Sequence, residues 1–301
     1  MTAQHFYPSF RLACPGRCIS SRTLTHVLSA GLGLFLLFGS SVNASLINHW
    51  NMEAGAGAQA ADSGLSGNAG TLGAAAAWST TEFAPNGSTA SLEFDGTDFS
   101  RLAITGYKAP IVGGSNNRTI TGWVKSRLVN SGDRNLGIMS YGRNATGQKW
   151  NLRVTQDNTT LNPTGQLRVE VNGGYIIGTT VVTDGQWHHV AVVLNGDGTP
   201  NVNELLLYVD GNLEAIHNSQ ATAINTDTSA AGSDLAIGDD HSNREWNGWI
   251  DDLRIYDEAL DATGILATMN FIPEPSSFAL TSLGLLGLVF HMRRRSLRTR
   301  S

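Results

Sequence analysis

The apolar and polar positions of this chain alternate in short runs that read as strands. In Asp184-Gly185-Gln186-Trp187-His188-His189-Val190-Ala191-Val192-Val193-Leu194, a turn leads into aromatic, β-branched and apolar side chains, the composition of a strand. Glu204-Leu205-Leu206-Leu207-Tyr208-Val209 answers it across the polar reversal Asn195-Gly196-Asp197-Gly198-Thr199-Pro200. Asp210-Gly211-Asn212 then turns the chain again. These runs predict a β-meander in the middle of a sheet. Both faces of 190–194 are apolar, which predicts cover on both sides, as in a sandwich.

Further strands are expected at 46–51, 92–94, 102–104, 119–125, 136–141, 150–154, 166–171, 175–178, 235–238 and 249–256. Between 119 and 125, Ile120 and Val124 fall on one face and Trp123 on the other. The Ala-, Gly- and Ser-rich passage up to Ala77 has no period, so a surface excursion with turns is expected there. Only 258–269 reads as a helix, and a short one. Many brief strands, turn-rich connections and 34 glycines predict an all-β fold of two packed antiparallel sheets. No internal repeat divides the chain.

Composition matters most at the two ends. Residues 1–44 carry Arg11, Arg17 and Arg22, the apolar run 27–38 and the small-residue stretch Val42-Asn43-Ala44, the layout of a secretory signal peptide. An N-terminal anchor is the alternative, for which the run is short. Cys14 and Cys18 both fall in this leader, so the exported domain is expected to hold no disulfide and to rely on its core. Near the other end, Pro273-Glu274-Pro275 precedes the apolar segment 276–292 and Arg293-Arg294-Arg295. That reads as a short transmembrane helix with its basic end in the cytoplasm. Between 45 and 271 remain 12 basic and 24 acidic side chains, a net charge of −12. A nucleic-acid partner is excluded on sign, and cation binding is favoured.

The succession GQWHHVAVV, LLLYVDG, LAIGDD and WNGWIDDLRIYDEAL resembles the laminin-G-like, concanavalin A-like jelly roll. ADSGLSGNAGTLG, SLEFDGTDFSRLAI and TITGWVK precede it in the matching order. The resemblance implies a two-sheet antiparallel jelly-roll sandwich at 45–271, between a signal peptide at 1–44 and a tail at 272–301. The tail's three parts resemble the PEP-CTERM sorting signal of Gram-negative bacteria that make extracellular polysaccharide. That likeness implies processing by an exosortase-type membrane enzyme near Pro273, Glu274 and Pro275. It also implies transient inner-membrane anchoring and delivery to the cell envelope, outer surface or extracellular matrix. A permanent tail anchor is the alternative.

Four constellations carry candidate chemistry. Asp62, Asn68 and Asp251 match segments that surround a structural calcium ion in many members of the fold, and calcium takes six to eight hard oxygens of the kind they offer. Asp251 is expected on the inward side with Leu253 and Ile255, and Asp239-Asp240 in a solvated loop. Glu93, Asp95 and Asp98 invite comparison with the Glu-x-Asp-x-x-Glu signature of glycoside hydrolases of this architecture. Asp98 stands where that signature has its acid/base Glu, and an enzyme is not expected. His188 and His189 point to opposite faces and do not chelate one metal; His189 is expected to be structural. Trp246, Asn243, Arg244 and Tyr175 combine aromatic faces with amide and charged groups, as sugar recognition requires. The expected role is non-catalytic binding of a glycan or matrix component such as exopolysaccharide. The alternatives are an adhesive surface protein with a protein partner and a glycan-active hydrolase.

Overall fold

The computed structural model describes residues 44–127, 136–155, 164–232, 234–240 and 244–270. Six strands come first: β1 (Leu46–Trp50), β2 (Gln59–Ala60), β3 (Gly70–Leu72), β4 (Ala76–Ser79), β5 (Ser91–Asp95) and β6 (Leu102–Ile104). The middle of the chain supplies β7 (Arg118–Ser126), β8 (Leu136–Gly142), β9 (Lys149–Val154), β10 (Gln166–Glu170), β11 (Tyr175–Val181) and β12 (His188–Leu194). Then follow β13 (Leu206–Val209), β14 (Asn212–Leu213), β15 (Asn218–Gln220), β16 (Leu235–Ile237), β17 (Asn247–Tyr256) and an α-helix, α1 (Ala262–Thr268).

These strands form two antiparallel sheets packed as a jelly-roll sandwich. The eight-stranded sheet runs β14-β13-β12-β7-β17-β5-β4, with β1 also paired to β17. The nine-stranded sheet runs β15-β11-β10-β9-β8-β16-β6-β3-β2. Trp50, Trp150 and Trp246 are fully buried in the core between them, with Phe94, Ile120, Val124 and Val190. The predicted meander is present as β12, β13 and β14, but it runs out to an edge. The middle of that sheet is the pair β7–β17, brought together from distant parts of the chain. Asp210 and Gly211 both have positive φ at the β13–β14 reversal, the geometry that a two-residue hairpin turn demands.

Strand β12 is covered on both faces, as its composition predicts. Val190, Val192 and Leu194 join the main core. Ala191 and Val193 face the other way and pack with Tyr208 and Ile265 under α1. The second cover is therefore the helix. Asp261 caps α1 by accepting the Gly264 N–H at 2.8 Å. The glycine-rich passage before Ala77 departs from expectation, because β2, β3 and part of β4 lie in it. Their pairing relies on backbone approach: a Cβ on Gly70 would lie 2.5 Å from the Leu102 side chain, so only glycine lets β3 close on β6.

Among the described residues no helix is long and apolar enough to cross a membrane. The leader, the Pro273-Glu274-Pro275 stretch and the apolar segment after it lie outside the described residues.

Candidate functional site

The nine-stranded sheet turns Leu152, Val154, Leu167, Val169 and Ile176 toward the core, so alternation sends their neighbours outward. Register aligns these outward residues in two rows across the strands. Gly137, Arg153, Arg168, Ile177 and Asn218 form one row, and Ser140, Asn151, Glu170, Tyr175 and Gln220 the other. Arg153, Arg168 and Asn151 are nevertheless buried.

A continuous polar chain crosses this face. Arg244 donates to Asp240 at 3.2 Å, and Arg153 donates to the same carboxylate oxygen at 2.8 Å. Arg153 also pairs with Glu170, which accepts from Arg168 at 2.7 Å. The Arg168 guanidinium lies 4.3 Å from the centre of the Tyr175 ring, and Asn218 donates to the Tyr175 hydroxyl at 3.1 Å. Burial, then the neighbouring Arg168 charge, lowers the Arg153 pKa to about 10. Burial also lowers that of Lys149, whose ammonium donates to the Asp240 carbonyl at 2.6 Å.

The loop carrying Asp239, Asp240 and Arg244 can lie on the sheet because Gly137 has no side chain. A Cβ there would fall 2.6 Å from the Asp240 nitrogen. Ser140 fastens the loop further by donating to the Asp239 carbonyl at 3.0 Å. The expected solvated loop is thus overturned: Asp239 and Asp240 are 2% and 0% exposed. Sequence reasoning missed Arg153, Arg168 and Glu170 as well. Their period-two spacing on β9 and β10 was the available signal, since charges at outward positions of adjacent strands meet.

Of the residues expected to bind a ligand, Arg244 begins this chain and Tyr175 stands next to its other end at Asn218. Asn243 lies outside the described residues. Trp246 is corrected: it is wholly buried, packs in the main core and donates its indole N–H to the Trp249 carbonyl at 3.2 Å. A ring with no exposed face offers nothing to a sugar.

The expected calcium ligands have separate partners. Both Asp62 oxygens are taken by N–H donors: the Asn48 amide and the backbone of His49, Gly64 and Asn68, at 2.7 to 2.9 Å. Asn68 accepts from the Asn48 amide at 3.4 Å. Asp251 is not on the inward side. A bulge with Asp252 at φ +50° resets the alternation, so Ile250, Leu253 and Ile255 face the core while Asp251 pairs level with Trp123 on the other face. One Asp251 oxygen accepts the Ala84 N–H at 3.0 Å, and the other is buried with no partner. Burial raises the Asp251 pKa to about 7, with the Asp252 and Glu53 carboxylates adding to the effect. Among the described residues no three His, Cys, Asp or Glu side chains converge as a ligand set.

Glu93 is ion-paired with Arg127. Asp95 accepts from the Thr97 backbone and hydroxyl at 2.9 and 2.7 Å; burial opposes its charge, but these bonds outweigh it and hold the carboxyl below its ordinary range. His189 is buried, edge-on to Trp123 at 5.4 Å, with its Nε2 3.2 Å from the Thr268 hydroxyl.

The two sheets and their polar outward face define a jelly-roll sandwich of the lectin and glucanase kind. The chain belongs to the concanavalin A-like lectin/glucanases superfamily, whose family model matches residues 95–266. Domain 4 of AbnA, an extracellular GH43 arabinanase from Geobacillus stearothermophilus solved with arabinotriose, shares 16% identity with a TM-score of 0.53, covering 75% of this chain and 99% of that one. The binding domain of Paraclostridial Mosquitocidal Protein 1 shares 14% identity with a TM-score of 0.52, over 75% of this chain and 52% of that one. The Botulinum neurotoxin serotype G binding domain shares 14% identity with a TM-score of 0.50, over 75% and 50%. The chain thus spans about half the length of these two toxin domains. No curated protein sequence matches it.

Proposed function

We propose that this protein is an exported, non-catalytic carbohydrate-binding protein, with its ligand on the outward face of the nine-stranded sheet. The observation that carries this reading is the polar chain from Arg244 to Asn218. It locks charged side chains on a rigid sheet and leaves Tyr175, Glu170, Asn218 and Gln220 at least partly open to solvent. An aromatic ring beside amides and a carboxylate is the donor set that sugars use. The arabinotriose in the AbnA domain supports the ligand class. The leader and the Pro273-Glu274-Pro275 tail support export, exosortase-type processing and a place at the envelope or in an exopolysaccharide matrix.

What supports the calcium reading is the unpartnered buried oxygen of Asp251, the atom a hard cation would satisfy. Asp62 and Asn68 do not fit that role, since the Asp62 oxygens are committed to N–H donors and Asn68 turns its own to Asn48.

The test is a glycan array probed with residues 45–271, in calcium and in chelator, beside the Tyr175→Ala variant. Binding that falls at least about tenfold in the variant is expected. Silence across plant, bacterial and host glycans would sink the reading. A protein partner would then take its place, favoured by the exposed Leu206, Leu213 and Leu266 on β13, β14 and α1.

A further inference from the structure

At one end of the sandwich the β8–β9 hairpin tip and the entry to β7 meet the segment 224–229. Between them lies a cleft of about 410 Å³, lined by Gly113, Gly114, Gln148, Asn225, Asp227 and Thr228 among others. None of these residues belongs to the two outward rows described above.

The floor is rigid. Arg118 is fully buried, stacks 4.6 Å from the centre of the Trp150 ring, and donates to the Val112 and Gly114 carbonyls and, at 3.2 Å, to the Thr226 hydroxyl. Gly114 and Thr226 exchange backbone bonds of 2.7 and 3.0 Å. A Cβ on Gly113 would lie 3.1 Å from the Thr228 hydroxyl, so glycine keeps that wall clear.

The walls carry unspent hydrogen-bonding capacity. The Gln148 Oε1 is buried and has no partner. Thr228 is 6% exposed, and among the described residues neither its hydroxyl nor the Asn225 amide bonds another side chain. Asp227 is held at the rim by the Ser229 backbone and hydroxyl, at 2.9 and 2.7 Å.

We propose that this cleft is a binding site of its own for a neutral polyhydroxyl group, a single sugar ring or an equivalent polyol. A hydroxyl both donates and accepts, so one ligand satisfies Asp227 as an acceptor and Asn225 and Thr228 as donors, with the Gln148 side chain lining the wall beside them. Asp227 repels phosphate and carboxylate ligands. The polar walls reject apolar ones, and the volume fits a small ligand.

The test is an NMR titration of the ¹⁵N-labelled full chain with arabinose, galactose, glucose and glycerol, following the side-chain amides of Gln148 and Asn225. Saturable shifts with at least one probe are expected. Binding should weaken about three- to tenfold in Thr228→Val and in Gln148→Leu and stay unchanged in Tyr175→Ala, which separates this site from the outward face. No shift with any probe overturns the proposal. So do shifts that persist in both cleft variants, or shifts reproduced by calcium chloride alone, which would mark a cation site.

Discussion

Arg153 and Asp240 meet at 2.8 Å with neither residue more than 1% exposed, on the face of the sheet that points away from the core. Breaking this pair leaves the buried Arg153 charge with Glu170 as its one remaining carboxylate partner among the described residues, which costs more than an exposed ion pair is worth. Asp240→Asn is therefore expected to lower unfolding stability by about 3 kcal/mol in urea titration. A loss under about 1 kcal/mol would mean that water reaches Arg153 and the network is soft.

Trp246 and Tyr175 separate packing from recognition. Trp246→Ala removes a fully buried indole and is expected to cost about 3–5 kcal/mol. Tyr175→Ala removes a half-buried ring that stacks on Arg168 and is expected to cost about 1 kcal/mol. It should also lower glycan capture on the array at least about tenfold. Retained capture by Tyr175→Ala would move the ligand off this face.

The strands were legible because half-buried sheets impose period two, and 190–194 even announced its double cover. Short glycine strands were not legible, since β3 pairs through what Gly70 lacks. The site was legible in part. Tyr175 and Arg244 stood out by type, whereas the network joining them depends on register between β9, β10 and β11, which a linear pattern does not contain. Asp251 was misplaced for a related reason: one bulged residue, Asp252, inverts the parity of the strand. Trp246 illustrates that an aromatic among polar loop residues can still be core.

The adjacent histidines are expected to respond to pH with opposite signs. Burial drives the His189 pKa down to about 4, so the unfolded chain binds its proton more tightly. His189 thus costs stability as pH falls from about 6.5 toward 4, by up to about 3 kcal/mol. Burial opposes charge on His188 too, but Asp210 and Asp184 at 2.8 and 3.1 Å outweigh it and raise the pKa. Its contribution is full below about 6.5 and is lost as pH rises through the raised value. Urea midpoints measured from about pH 8 to 5 should fall less steeply toward acid in His189→Gln. In His188→Gln the deficit against the parent chain should be larger at the acid end. Parallel curves for all three proteins would refute both assignments.

Asp251 supplies the metal-removal experiment. Its folded pKa of about 7 lies above the ordinary 3.8, so the folded state holds the proton more tightly and stability falls as pH climbs between those values. Above about pH 7 the buried carboxylate is charged, one oxygen lacks a partner, and a calcium ion would supply the missing charge. Calcium at about a hundred times its dissociation constant should then raise the melting temperature by about 5–10 °C over chelator near pH 8, and by less near pH 5. Asp251→Asn should erase that increment and melt above the parent chain in chelator, because it removes the uncompensated charge. Equal melting in calcium and chelator near pH 8 would remove calcium from the account. An increment that survives Asp251→Asn and disappears in Asp62→Asn would return the ion to the loop at Asp62.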